Sequence, residues 1–227
     1  MRYSNIRSGT FIDRPNRFIA QVEIDGKTEI CHVKNTGRCK ELLIPGATLI
    51  LERAKDPNRK TPYSVVGVYK GERLVNIDSQ APNRAAKEWL EQGGLDGEKP
   101  TLLRPEYSWG GSRFDFYIEQ GTRRALLEVK GVTLEVDGGA YFPDAPTQRG
   151  VRHIHHLMAS LSEGFEACIL FVIQMEGVSH FSPNDITHPA FGDALREAQK
   201  RGVRLFAYDC SVSPDAMAIR APVSIWL

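Results

Sequence analysis

Apolar and polar residues alternate in short runs through the first third of the chain. Phe18, Ala20, Val22 and Ile24 recur at every second position, the period of a half-buried strand, and a second run follows from Thr28 to Val33. Asp25-Gly26 lies between them, and Asp-Gly between two such runs predicts a tight hairpin. ATLILER, YSVVGVY and RLVNID supply three more strand candidates, rich in β-branched residues and closely spaced. Five strands without a long helix predict an OB-like five-stranded barrel over residues 1–80, with an SH3-like barrel as the nearest competitor.

The pattern changes near residue 80. Pro82 opens a predicted helix that runs from Asn83 to Gln92 and stops at Gly93-Gly94. LDGEKPTLLRPE reads as a connection. Strands are predicted over Ser112–Glu119, Arg123–Thr133 and Ala140–Phe142, the first two joined by the hairpin-like Gln120-Gly121-Thr122. From Pro146 to Glu163 the period is helical. Val151, Ile154, Leu157, Met158 and Leu161 fall on one side, and Arg149, Arg152, His153 and His156 on the other. EACILFVIQ, FGDALREAQKRG and VRLFAYDC read as strand, helix and strand, which favours parallel pairing through a right-handed crossover. Residues 81–227 therefore read as an α/β domain behind an all-β one.

Composition adds limits. The chain has 227 residues, 41% hydrophobic and 25% charged, which is ordinary globular composition. The net charge of +1 hides an asymmetry: residues 1–80 carry +5 and residues 81–227 carry −4. This split is compatible with one phosphate-facing surface and one carboxylate-rich site. No apolar run approaches the roughly 18 residues of a membrane span, and the N-terminus lacks a secretion-signal stretch. Cys31, Cys39, Cys168 and Cys210 form no C-x-x-C pair. A cytoplasmic protein with reduced thiols and no membrane association is expected. There is no P-loop, no G-x-G-x-x-G and no G-x-S-x-G, so neither a nucleotide cofactor nor a serine hydrolase is indicated.

The candidate chemistry lies on the two strands of the second hairpin. Strict alternation puts Phe114, Phe116 and Ile118 on one face of the first strand, with Asp115 and Tyr117 on the other. On the second, Leu126, Glu128 and Lys130 share a face. If the strands pair, Asp115, Glu128 and Lys130 converge. Two carboxylates suit a hard divalent cation, Mg or Mn, which activates a water and stabilises charge on a phosphate. The lysine holds that water or screens the developing charge. Acid-x-Lys alone is weakly specific, since it also occurs at Asp25-Gly26-Lys27 on a turn. The plain alternative for Glu128 and Lys130 is a surface ion pair on an exposed sheet face.

Several ordered motifs resemble the sugar fermentation stimulation protein A family. They are Asn35-Thr36-Gly37-Arg38, Glu41-Leu42-Leu43-Ile44-Pro45-Gly46, Arg113-Phe114-Asp115-Phe116, Glu128-Val129-Lys130-Gly131-Val132-Thr133-Leu134, Phe142-Pro143-Asp144-Ala145-Pro146-Thr147, and Arg149-Gly150 with His153. The resemblance spans nearly the whole chain. It implies an OB-like domain followed by a restriction-endonuclease-like domain of the PD-(D/E)xK type. It also implies DNA binding without sequence specificity and a link to regulation of sugar (maltose) metabolism. Under it, Asp115 takes the first acid, Glu128 the second and Lys130 the lysine, with Phe-Asp standing where the motif name has Pro-Asp. A third acid from the preceding helix would be Glu88 or Glu91. Gln148, Arg149 and His153 match the polar residues of the following helix.

The remaining cations extend this expectation. Arg149, Arg152 and His153 are read as phosphate contacts, against the plain reading of a solvated helix face. Arg38 and Lys40 flank a glycine turn that can present N–H groups to phosphate, or can be an ordinary barrel turn. Lys55, Arg59 and Lys60 lie on a charged loop that either widens the basic surface or is only solvated. The functional expectation is a DNA-binding protein, largely blind to sequence, with a metal-dependent phosphodiesterase site. The competing classes are a binding or regulatory protein with an inactive site, and a nuclease for RNA or structured DNA.

Overall fold

A computed structural model describes residues 1–35 and 37–227; Thr36, part of one motif above, lies outside the described residues. The first part contains β1 (Ile6–Asn16), β2 (Ile19–Ile24), β3 (Lys27–Val33), β4 (Thr48–Arg53), β5 (Tyr63–Lys70) and β6 (Arg73–Asn76). Their order is β3-β2-β1-β4-β5-β6, and a parallel pairing of β3 with β5 closes the first five into a barrel. This is the OB barrel that the alternation predicted.

The membership of that barrel differs from the prediction. RLVN, counted above as the fifth strand, is β6, which pairs with β5 outside the closure. The missing strand is β1. Register shifts at Phe11/Asp13 and Asp13/Asn16 interrupt its pairing with β2, so its apolar residues do not alternate. At Gly9 the neighbouring strand is so close that a Cβ would sit 2.7 Å from Val22 Cγ1 and 2.9 Å from the Glu23 carbonyl oxygen. The Asp25-Gly26 hairpin is as read: both residues have positive φ, 52° and 76°, and Ile24 pairs with Lys27.

The second part begins with α1 (Ala81–Glu91), which has Pro82 in its first turn and buries Ala85, Ala86 and Leu90. Then come β7 (Leu102–Trp109), β8 (Ser112–Gln120), β9 (Arg123–Val132), β10 (Leu134–Val136) and β11 (Gly139–Phe142). After these follow α2 (Gln148–Ser160), β12 (Glu166–Ile173), β13 (His180–Pro183), α3 (Pro189–Lys200), β14 (Arg204–Ser213), β15 (Ala216–Pro222) and β16 (Ser224–Ile225). The main sheet runs β15-β14-β12-β9-β8-β7, with β9, β12 and β14 parallel. The predicted crossover is β12–α3–β14. A small sheet, β10-β11-β13-β16, lies beside it. The connection LDGEKPTLLRPE is shorter than read, because Leu102 onward is β7; it is an edge strand, where Pro105 is tolerated.

Two apolar clusters lie in this fold. Ile154, Leu157 and Met158 of α2 pack with Phe114, Leu126 and Phe171, in a cluster that continues into the barrel core at Phe11, Val22 and Leu49. Ala85, Ala86 and Leu90 of α1 pack with Phe116, Ile118, Leu127 and Val129 in the other. Polar bonds also join the two parts. The buried Gln174 donates to Asn76 O and Oδ1, both at 3.0 Å, and to Asp78 O at 3.2 Å. Lys70 Nζ reaches the Glu135 carboxylate at 2.5 Å and its carbonyl at 2.8 Å.

Candidate functional site

The local departure from alternation builds the site. β8 and β9 pair regularly from Gln120↔Arg123 to Phe116↔Leu127. Past that point the side chain of Asp115 supplies an acceptor to the neighbouring strand: its Oδ2 accepts the Val129 N–H at 2.7 Å. On β7, Glu106 has φ 56°, a conformation rare within a strand. Phe114 joins the α2 cluster, its ring 6.0 Å from His153, while Phe116 joins the α1 cluster. The expectation that Phe114, Phe116 and Ile118 share one face is therefore corrected. The flip lies at Asp115.

The other Asp115 oxygen is held from α1. Oδ1 accepts from Asn83 Nδ2 at 2.7 Å. Burial pushes the Asp115 carboxyl above the usual range, and the nearby Glu128 charge adds to this. The Val129 and Asn83 donors and Lys130 oppose the rise without cancelling it.

Glu128 is 4% exposed. Its Oε1 accepts from Lys130 Nζ at 2.5 Å and His153 Nδ1 at 2.6 Å. Burial pushes this carboxyl up, but His153 and Lys130 outweigh it, so the net direction is down. Arg149 Nε donates to His153 Nε2 at 3.3 Å, which assigns the imidazole proton to Nδ1. The second oxygen, Glu128 Oε2, is buried and has no partner among the described residues. An orphaned buried carboxylate oxygen is costly unless something fills its coordination. That oxygen, with the Asp115 carboxylate nearby, fits a hard divalent cation. Among the described residues no group of three or more His, Cys, Asp or Glu is placed to hold a metal, so the protein donors reduce to Asp115 and Glu128.

Other expected residues fall elsewhere. Glu88 binds the Met1 amine at 2.5 Å, and Glu91 binds Lys87 on its own helix at 2.5 Å. Neither supplies a third acid; α1 contributes Asn83 instead. His153, expected among the phosphate contacts, is buried with Nδ1 on Glu128 and Nε2 accepting from Arg149, apart from the exposed Arg149 and Arg152. His156 Nδ1 meets Ser112 Oγ at 2.6 Å, and Gln148 reaches His188. Arg149 and Arg152 are exposed on α2, and Arg38 and Lys40 are exposed on the barrel loop. That loop is secured by Arg14, whose guanidinium donates to the carbonyls of Asn35, Gly37 and Arg38 between 2.7 and 3.0 Å. Asn83 and Arg14 are residues the pattern did not single out.

A cleft of about 320 Å³ separates this loop from the body, with Asn35, Gly37, Gly131, Asp144, Thr147 and Gln174 in its walls. Two glycines line it at close quarters. A Cβ on Gly37 would meet Asp144 Oδ2 at 2.5 Å, and one on Gly131 would meet Gln174 Oε1 at 2.5 Å. All four cysteines are buried, and burial pushes each thiol up to about 12, so they are inert.

Residues 12–77 match the family described as "SfsA N-terminal OB domain", and residues 80–216 match "Sugar fermentation stimulation protein RE domain". The chain belongs to the SfsA family. A sugar fermentation stimulation protein homolog of Desulfitobacterium hafniense is 54% identical over 217 residues, covering 96% of this chain and 94% of its own. Another, from Clostridium beijerinckii, is 52% identical over 227 residues and covers 100% of both chains. The structure of Pyrococcus furiosus SfsA in complex with Ca²⁺ is similar at a TM-score of 0.91 and 28% identity, covering 100% of this chain and 98% of that one. The SfsA family thus accounts for both the OB barrel and the α/β domain. No helix among the described residues is long and apolar enough to cross a membrane.

Proposed function

We propose that this SfsA protein binds DNA largely without regard to sequence, and that Asp115, Glu128 and Lys130 form a phosphodiester-hydrolysing site dependent on Mg²⁺ or Mn²⁺. The observation that carries this reading is the buried, unpartnered Glu128 Oε2 beside a carboxylate fixed at both oxygens. The Ca²⁺ bound by the Pyrococcus relative supports it, since Ca²⁺ takes the same oxygen donors. When bound, the cation supplies Lewis-acid polarisation of a phosphoryl oxygen and lowers the pKa of a bound water. Asn83 and the Val129 N–H orient Asp115. His153, itself oriented by Arg149, and Lys130 keep Glu128 ionised and aimed. The Lys130 ammonium places a positive charge where the phosphate gains negative charge. Arg38, Lys40, Arg149 and Arg152 meet backbone phosphates, which carry no sequence information.

One observation favours a second reading, a binding or regulatory protein with no turnover: α1 supplies an amide rather than a third acid. Incubation of linear, circular and single-stranded DNA with Mn²⁺ separates the two. Hydrolysis is expected from the wild type and not from Asp115→Ala or Lys130→Ala. DNA left intact by a wild type that binds both Mn²⁺ and DNA selects the second reading.

A further inference from the structure

Two adjoining depressions, of about 590 and 440 Å³, lie where the end of β4 meets the N-terminal segment and α1, and both have Arg53, Ala54 and Lys55 in their walls. Arg59 and Arg84 extend the larger one, and Arg7 the smaller. The acids present are already engaged. Glu52 accepts from Ser4 N and Lys34 Nζ, and Asp56 Oδ1 accepts the Asn58 N–H within its own turn. Arg7 is paired with Asp25. Arg53, Lys55, Arg59 and Arg84 have no carboxylate partner among the described residues.

These four come from three places in the fold and line one depression. Arg53 ends β4. Lys55 and Arg59 lie on the loop between β4 and β5, with Arg59 Nη1 held by Ser64 Oγ at 3.0 Å. Arg84 stands on α1, fixed by the Arg2 carbonyl at 3.0 Å and by the Tyr3 ring at 5.7 Å. The residue before it, Asn83, holds Asp115. The cations thus come from both the barrel and α1, and the last of them follows in sequence the residue that holds Asp115.

We propose that this trough is the track for the phosphate backbone of DNA, running from the β4–β5 loop across the barrel–body junction to α1. The inference rests on the DNA-binding reading above and specifies its surface. A small anion needs donors converging on one point, whereas cations spread over two adjoining depressions match the repeated charges of a polyanion. Charges on both parts of the fold also explain how a strand gripped by the barrel is presented to Asp115 and Glu128.

Duplex DNA binding measured across a KCl series by fluorescence anisotropy tests it. The proteins are the wild type, Arg53→Gln/Lys55→Gln, the triple variant adding Arg59→Gln, and Arg84→Gln. The slope of log K against log salt is expected to fall by about 0.9 for each phosphate contact removed, hence by about 2 in the double variant. Melting temperatures check folding, and the double variant leaves the Arg59–Ser64 bond in place. Wild-type slope and affinity in both the double variant and Arg84→Gln overturn the trough alone. A wild type that does not bind DNA overturns the DNA-binding reading itself.

Discussion

In the barrel, Arg38, Lys40, Arg53 and Lys55 are exposed and form no ion pair among the described residues. In the α/β body, Glu128 is buried among donors with one oxygen unpartnered, and Asp115 is raised by burial. The same chain therefore keeps uncompensated positive charge outside on one part and incompletely satisfied negative charge inside on the other. Exposed cations cost little in stability and act at a distance on a polyanion. Buried carboxylates cost stability and retain fixed geometry, which suits them to one ion and one reaction centre. The contrast divides the labour: the barrel surface governs affinity, the body interior governs chemistry, and the Gln174 junction keeps them in register.

The largest effect is expected at that junction. Gln174→Leu leaves Asn76 O, Asn76 Oδ1 and Asp78 O without their donor, a loss of about 3 kcal/mol in urea unfolding. Barrel and body signals that still unfold together and unweakened would break the coupling. Next is His153→Ala, which removes one of two donors to a buried carboxylate and costs about 2 kcal/mol. The Glu128 carboxyl should rise, because its strongest lowering partner is gone, and carbon-detected NMR titration reads this directly.

Asp115→Asn has the opposite sign. A carboxyl whose folded pKa is raised binds its proton more tightly in the native state than in the unfolded chain. Wild-type stability is therefore fuller below the unfolded value, about 4, and declines as pH rises through the folded value. Asparagine has no such decline, and Asn83 can turn its amide to accept from it. The variant should melt above the wild type at pH 7, with the gap closing as pH is lowered; equal melting points at every pH would refute the raised carboxyl. The smallest stability change belongs to Arg38→Gln/Lys40→Gln, within about 0.5 kcal/mol, with DNA affinity reduced at low salt.

Legibility in the sequence followed the same division. Regular period-2 runs and the Asp25-Gly26 turn revealed most of the barrel, and the strand–helix–strand run revealed the parallel core. β1 is hidden because its register shifts break alternation, so the period-2 runs reach five only with β6. Asp115, Glu128 and Lys130 stood out as charges inside apolar strands. Their supports did not. Asn83 is an unremarkable first-turn residue until the fold brings it to a partner 32 positions later. The face switch at Asp115 lies across from the positive φ of Glu106 on β7, and no two-residue periodicity encodes either. Glu88 had the right residue type on the right helix, yet the Met1 amine takes its carboxylate. His153 belonged to an apparently solvated face, and its burial depends on Glu128 being opposite.

A crystal soaked in Mn²⁺ and measured at the manganese absorption edge bears most directly on the pair of carboxylates, since no substrate has to be known. An anomalous peak within coordination distance of Asp115 and Glu128 Oε2, absent in Asp115→Asn, is the expected result. No peak there at saturating Mn²⁺, with both side chains ordered and unchanged, would contradict the metal site.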